Sequence, residues 1–235
     1  MRDDVVAFIY ARTDSRRLPK KVFMEVGGVP VIDIVYARAK RLNVGEVVVL
    51  TTSRRVDDEL ADYCNDQGYV CRRGETDDLV SRTVRAIKAY RPKIFVRING
   101  DCPFFEPTLV NSALQRMLGT ATVEMVSNVI ERTFPYGISV ECICSTVYLK
   151  SSELATDSER EHVTQHLYRI SSDLSLVGMR DGTGNNSNRR MVLDTQNDLT
   201  SLNDMAKGRD VRLATYWELL GIEAPMPILE SKVTR

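Results

Sequence analysis

Residues Val5 to Tyr10 form an unbroken apolar run rich in β-branched side chains. That pattern predicts a strand covered on both faces of a parallel sheet, and therefore a central one. From Val31 the spacing changes: Val31, Val35, Ala39 and Leu42 recur at helical steps, and Glu46 to Leu50 then reads as a second short strand, completing a βαβ unit. The alternation continues with a helix over about Arg55 to Asp66, a short strand near Tyr69 to Cys71, and a helix whose Val80, Val84 and Ile87 share one face. Strand Ile94 to Ile98 follows, and after Pro107 a helix carries Val110, Ala113, Leu114 and Met117. Alternating segments of these lengths predict an α/β fold, an open, doubly wound and mostly parallel sheet with right-handed crossovers.

The second half is less regular. Strands are predicted at Thr122 to Val126, Gly137 to Cys144, Leu174 to Val177 and Arg190 to Leu193, with helices near Glu159 to Arg169 and Asp198 to Ala206. These read as antiparallel additions to the sheet. Gly182 to Asn188 is a polar loop. No repeat, low-complexity tract or linker divides the chain, so residues 1–235 are expected to form a single domain.

Composition narrows the function classes. The 235 residues carry 32 Lys plus Arg against 32 Asp plus Glu, a formal net charge of zero, so no global field favours nucleic acid or an anionic membrane. With 43% apolar and 27% charged residues the chain has the make-up of a folded protein. No stretch approaches the roughly 18 apolar residues of a membrane span, and two acids precede the first apolar run, unlike a secretory signal. A cytoplasmic protein is expected. Its five cysteines, an odd number without C-x-x-C spacing, suggest neither a disulfide framework nor a zinc ribbon. Cys102 reads as a small packing residue rather than a nucleophile.

Against that neutral background one segment stands out. Between Arg12 and Lys21 lie five basic residues and one acid, a local charge of +4 just after the first strand. A doubly wound fold binds ligands beyond the carboxyl ends of its strands, and Ser15 with nearby backbone N–H groups could add donors to phosphate oxygens. The loop is neither a Walker A sequence nor a G-x-G-x-x-G fingerprint. A solvated charged loop is the alternative, and a nucleic-acid patch a weaker one, since interleaved aromatics are absent. Two carboxylates also end predicted strands: Asp101, after Gly100, and Asp194, before a helix start. Taken alone, each reads as a turn or cap residue. Gly100 permits an unusual turn or the close approach of a ligand.

The run ARTDSRRLPKKVFMEVGGVPVID resembles the signature loop of the cytidylyltransferases that make CMP-activated sugars, most nearly the spore-coat-polysaccharide type related to CMP-sialic acid and CMP-Kdo synthetases. The likeness continues through RRGETDDLVSRTVRAIKAY, VRINGDCPFFEP, SEREHVTQHLYR and RRMVLDTQNDL, in order and over nearly the whole chain. It implies a Rossmann-like nucleotide-diphospho-sugar transferase fold, with residues 1–120 binding nucleotide and 121–235 binding acceptor and forming a homodimer. It implies Asp101 and Asp194 as ligands of Mg²⁺, a hard ion suited to few carboxylates and open positions. Arg12 and Lys21 would neutralise the triphosphate, and with the two aspartates they make the implied catalytic set. The nucleotide would also meet Ala11, Ser15, Ser53, Gly74 and Arg82.

Three loop positions depart from the family pattern: Asp14 and Lys20 stand where Gly is usual, and Arg16 where Thr is frequent. Asp14 would repel phosphate unless it turns away to pair with Arg16 or Arg17. On the acceptor side the resemblance implies Arg160 and His162, within R-E-H-V-T, near the acceptor or a dimer contact; Glu141 reads either as an acceptor contact or as a solvated edge position. His162 and His166 are four apart on the predicted helix, a spacing compatible with a metal pair, but H-E-x-x-H is missing and surface or hydrogen-bonding histidines are the better reading. The implied reaction is transfer of CMP from CTP to a nonulosonic-acid-like acceptor. Use of another nucleotide, a phosphate or phosphonate acceptor, or an inactive nucleotide-binding module in polysaccharide assembly are the alternatives.

Overall fold

The computed structural model describes residues 2–223 and 228–231. In the first half, β1 (Val5–Tyr10) is followed by a short hairpin of β2 (Glu25–Val26) and β3 (Val29–Pro30) closed at Gly27-Gly28, then α1 (Val31–Ala39), β4 (Glu46–Thr52) and α2 (Asp58–Asp66). β5 (Val70–Gly74), α3 (Leu79–Tyr90), β6 (Ile94–Asn99) and α4 (Pro107–Gly119) complete it. The second half holds β7 (Met125–Ser127), β8 (Glu141–Cys144), α5 (Ser145–Ser152), α6 (Asp157–Arg160), α7 (Gln165–Arg169), β9 (Leu176–Arg180), α8 (Gln196–Ala206), α9 (Tyr216–Leu220) and β10 (Ile228–Ser231).

Among the described residues one eight-stranded sheet runs in the order β5-β4-β1-β6-β8-β7-β9-β10. Strands β5, β4, β1 and β6 are mutually parallel, β8 is antiparallel to β6 and β7, β9 is parallel to β7, and β10 is antiparallel to β9. The fold is therefore α/β, mostly parallel, with antiparallel additions in the second half. Both halves contribute strands to this one sheet.

The apolar run of β1 has the consequence expected of it. Val5, Ala7 and Ile9 enter one core with α1, α2, α4 and α8, whereas Val6, Phe8 and Tyr10 enter another with α3, α5 and α7. Period-two alternation thus feeds two helical layers, and each large side chain so buried contributes about 1.5–3 kcal/mol. No helix among the described residues is long and apolar enough to cross a membrane.

Four features differ from the sequence expectations. Residues Arg190 to Leu193 are not a sheet strand: Arg190 makes an isolated parallel bridge to Tyr136, Met191 N–H donates to the Tyr136 carbonyl at 2.7 Å, and Leu193 N–H donates to the Asp101 carbonyl at 2.8 Å. Their apolar side chains are buried, so the pattern is strand-like, but the partners are loops at the strand ends. The helix expected over Glu159 to Arg169 is two short ones, because Val163 and Thr164 turn inward to bury against the second core and the Glu141 cluster described below. His162 lies in the turn between them, so the two histidines do not share a helical face. The hairpin, α5, α9 and β10 were not anticipated; they are too short to show a period.

Candidate active site

The basic loop leaves β1 and is pinned from beneath. Thr13, buried, donates its N–H and hydroxyl to Asp57 Oδ1 at 2.7 and 2.8 Å, and Thr52 hydroxyl donates to the other Asp57 oxygen. The Thr13 carbonyl in turn accepts from Ser15 N–H (3.0 Å) and Lys20 N–H (2.8 Å). A buried carboxylate whose two oxygens both accept hydrogen bonds fixes a turn firmly. Nothing in local patterning marks Asp57 for this role, since the loop residue it holds, Thr13, is 44 residues away. Lys20, at a position where the family resemblance implies Gly, has φ 56°. That left-handed conformation is one that glycine adopts without steric cost.

The loop ends on Lys21, whose side chain is only 11% exposed. Its ammonium donates to Asp101 Oδ2 at 2.5 Å and to Asp194 Oδ1 at 2.8 Å, so the two carboxylates face each other across one cation. Burial alone would lower the Lys21 pKa, but the charges and hydrogen bonds of Asp101 and Asp194 outweigh it and raise it. Arg17 also reaches Asp194, at 3.1 Å. The juxtaposition comes from backbone contacts. At Gly100 an added Cβ would lie 2.8 Å from Ala11 Cβ and 2.9 Å from the Tyr10 carbonyl, so β6 runs against the start of the loop only with glycine there. At Gly137, φ 109°, an added Cβ would lie 2.5 Å from the Met191 carbonyl, so this glycine lets the segment before Asp194 pass. Leu193 N–H, bonded to Asp101, then delivers Asp194 to Asp101.

A cavity of about 770 Å³ opens over these groups. Ala11, Arg12, Ser15, Lys21, Arg82, Asp101 and Asp194 all line it, so the structure brings these expected site residues together. Arg12 and Arg16 face it with no carboxylate partner among the described residues. Asp14 pairs with Arg54, rather than with Arg16 or Arg17; that hydrogen bond and charge hold its carboxyl below the usual range. Cys102 is buried beside the site, its thiol 3.5 Å from Asp101 Oδ1, and burial and that carboxylate push its pKa well up, leaving a packing group rather than a nucleophile.

Other expected residues lie off the cavity lining. Ser53 joins β4 to β5 through its N–H on the Gly74 carbonyl, 2.8 Å, and Gly74 packs against Arg82, whose Cγ would be 2.9 Å from an added Cβ. Arg82 spends its guanidinium on the carbonyls of Glu75 (2.8 Å) and Thr76 (3.0 Å), bracing the wall. Glu141 is buried, neither solvated nor open to an acceptor: it accepts from Thr164 hydroxyl (2.7 Å), Tyr168 hydroxyl (2.6 Å) and Arg97. Arg160 turns to Asp78 at 3.1 Å, the residue that caps α3 through Ser81 N–H, and His162 is exposed in its turn. Residues not anticipated on the lining include Arg54, Arg97, Arg132, Tyr136 and Glu161. Scattered over more than a hundred positions, they share no sequence signal.

A cytidylyltransferase family model matches residues 6–214, spanning the strand ends, the basic loop and both aspartates. The chain belongs to the cytidylyltransferase family. Among relatives of this cytidylyltransferase, the spore coat polysaccharide biosynthesis protein SpsF of Bacillus subtilis is 28% identical over 182 residues, covering 72% of this chain and 74% of its own. A 3-deoxy-manno-octulosonate cytidylyltransferase of Rhizobium etli is 32% identical over 148 residues, 59% of this chain and 58% of that one. A cytidylyltransferase structure from Leptospira borgpetersenii superposes with a TM-score of 0.87 at 26% identity, covering 93% and 92% of the two chains. A CMP-2-keto-3-deoxy-manno-octonic acid synthetase in complex with CTP superposes at 0.65 and 19% identity, covering 86% and 97%, a likeness of fold alone.

The donor set at the centre of the cytidylyltransferase site suits a hard divalent ion. Asp101 and Asp194 already converge on one cation, Lys21, and offer only oxygen ligands. No cluster of three or more His, Cys, Asp or Glu surrounds them among the described residues, so any ion there would keep positions open for phosphate and water.

Proposed function

We propose that the protein transfers CMP from CTP to an acidic sugar, releasing pyrophosphate, with Mg²⁺ held by Asp101 and Asp194. The observation that carries this reading is the meeting of these two carboxylates on Lys21, beneath a loop whose Arg12 and Arg16 have charge to spare. An acceptor hydroxyl oxygen bonds to the α-phosphorus, the bond from that phosphorus to the bridging oxygen of the β-phosphate breaks, and the hydroxyl proton passes to solvent. Such transfers need alignment and charge more than covalent help. Arg12, Arg16 and Lys21 neutralise the triphosphate and departing pyrophosphate, Lys21 exchanging its carboxylate partners for phosphate oxygens. Bound Mg²⁺ supplies Lewis-acid charge to the phosphate oxygens. Ala11 and Ser15 border the phosphates, while Arg82, with Ser53 and Gly74 behind it, shapes the wall offered to the base. The nonulosonic-acid-like acceptor and the homodimer rest on the family resemblance.

The test is pyrophosphate release with each nucleoside triphosphate, Mg²⁺ and a panel of acceptors beginning with 3-deoxy-manno-octulosonate. CTP should be preferred, and Asp101→Asn and Asp194→Asn should each lower kcat by about 10²-fold or more while melting near the wild type. Near-normal turnover by either variant would remove the metal assignment. CTP binding with no turnover on any acceptor would favour a binding module instead.

A further inference from the structure

We infer that Arg132 selects the acceptor by binding an anionic group on it, a carboxylate or a phosphate; this deepens, and rests on, the reading of the cavity as a nucleotidyl-transfer site. That cavity is lined by Arg97 from β6 and, from the second half of the chain, by Arg132 and Tyr136 together with Ser139 and Glu161. The charge of Arg97 is committed to buried Glu141. Arg190, whose guanidinium carbon lies 5.2 Å from the Tyr136 ring centre, is committed to Asp198 through Nε at 3.0 Å and Nη2 at 3.2 Å. Arg132 sits on the same ring, at 5.1 Å, and among the described residues no carboxylate or carbonyl pairs with it.

Stacking on an aromatic face orients a guanidinium without consuming its N–H donors, which stay free for an oxygen pair in their plane. The loop that carries Arg12 and Arg16 follows β1, far along the chain from Arg132, so two separate segments bring spare charge to the lining. The loop after β1 serves the triphosphate; Arg132 is left as an unspent cation for the second substrate. Glu161, an acid on the same lining, suits hydroxyls of the acceptor.

The experiment compares wild type, Arg132→Gln and Arg132→Lys in pyrophosphate release with three acceptors: a 3-deoxy-2-ulosonic acid, the same sugar with C1 reduced to an alcohol, and a hexose 1-phosphate. Arg132→Gln should lower kcat/KM for the charged acceptor about 10- to 100-fold through KM, the loss of one charge-assisted contact, and leave the alcohol and the KM for CTP unchanged. Arg132→Lys should recover part of the loss. Dependence confined to the acid assigns a carboxylate, and dependence confined to the 1-phosphate assigns a phosphate. An equal fall for charged and uncharged acceptors, or a change in the KM for CTP instead, would overturn the proposal, because a merely structural Arg132 would act so. If the wild type turns over none of the three, the transfer reading fails, and calorimetric titration of CTP-loaded protein with the acid and the 1-phosphate decides Arg132 separately. Binding of either by the wild type but not by Arg132→Gln supports the role; equal binding, or none, refutes it.

Discussion

His166 should make the protein acid-sensitive well above the range in which its carboxylates titrate. The side chain is fully buried on α7, packed edge-on against Tyr148 at 5.0 Å, and neither ring nitrogen has a hydrogen-bond partner among the described residues. Burial lowers its pKa from 6.5 to about 4; of the charged groups around it, the Glu159 carboxylate opposes the drop while the guanidinium groups of Arg169 and Arg160 reinforce it. A folded pKa below the unfolded one means that only the unfolded chain takes the proton as pH falls through 6.5. Stability from this source is therefore constant above about pH 7 and is lost progressively down to about pH 4. The linkage relation with these two values gives a loss of about 2 kcal/mol between pH 7 and pH 5. For a chain of this size that is a fall of about 4–8 °C in Tm. Glu159, pushed down to about 2 mainly by its hydrogen bond from Arg169, loses its contribution as pH falls from the ordinary value of 4.5 to about 2, so most of that loss lies below the window between pH 7 and pH 5. Denaturant and thermal melts of wild type and His166→Phe at pH 7 and pH 5 measure the difference. The variant should lose less stability over the interval by about 2 kcal/mol; equal losses in both proteins would show that His166 is not held neutral by burial.

Asp57→Ala should strip the acceptor from Thr13 and Thr52, costing about 2–3 kcal/mol in denaturant melts and raising the KM for CTP as the loop loosens; an unchanged KM would separate this anchor from the nucleotide site. Asp14→Gly should leave the KM for CTP equal or lower, since it frees Arg54, which also lines the cavity. A large rise, read by pyrophosphate release, would show that Asp14 contributes directly. Lys20→Gly should raise stability by about 1 kcal/mol, because it relieves a left-handed residue at the expense of an exposed ion pair with Glu59; a lower Tm would contradict the strain.

Much of this protein could be read along the chain because its reporters are local. The run Val5 to Tyr10, the helical spacing after Val31 and the alternation through Met117 record which faces are covered, and they led to the α/β class and to a cationic loop at the carboxyl end of the first strand. Asp101 and Asp194 stand out as carboxylates at predicted strand ends, but only the family likeness gives them a role as metal ligands. Arg190 to Leu193 shows how local reading fails: side-chain burial there is strand-like, but the backbone bonds belong to loops. Tertiary structure alone decided that Lys21 meets a carboxylate 80 residues away and another 173 away, that Asp57 pins the loop, that Glu141 is withdrawn into a buried cluster, and that Arg132 keeps its charge. The physical reason is that periodicity encodes burial within a few residues, whereas a pairing of charges across the fold depends on strand order and on close backbone passages such as those at Gly100 and Gly137, which no single segment specifies.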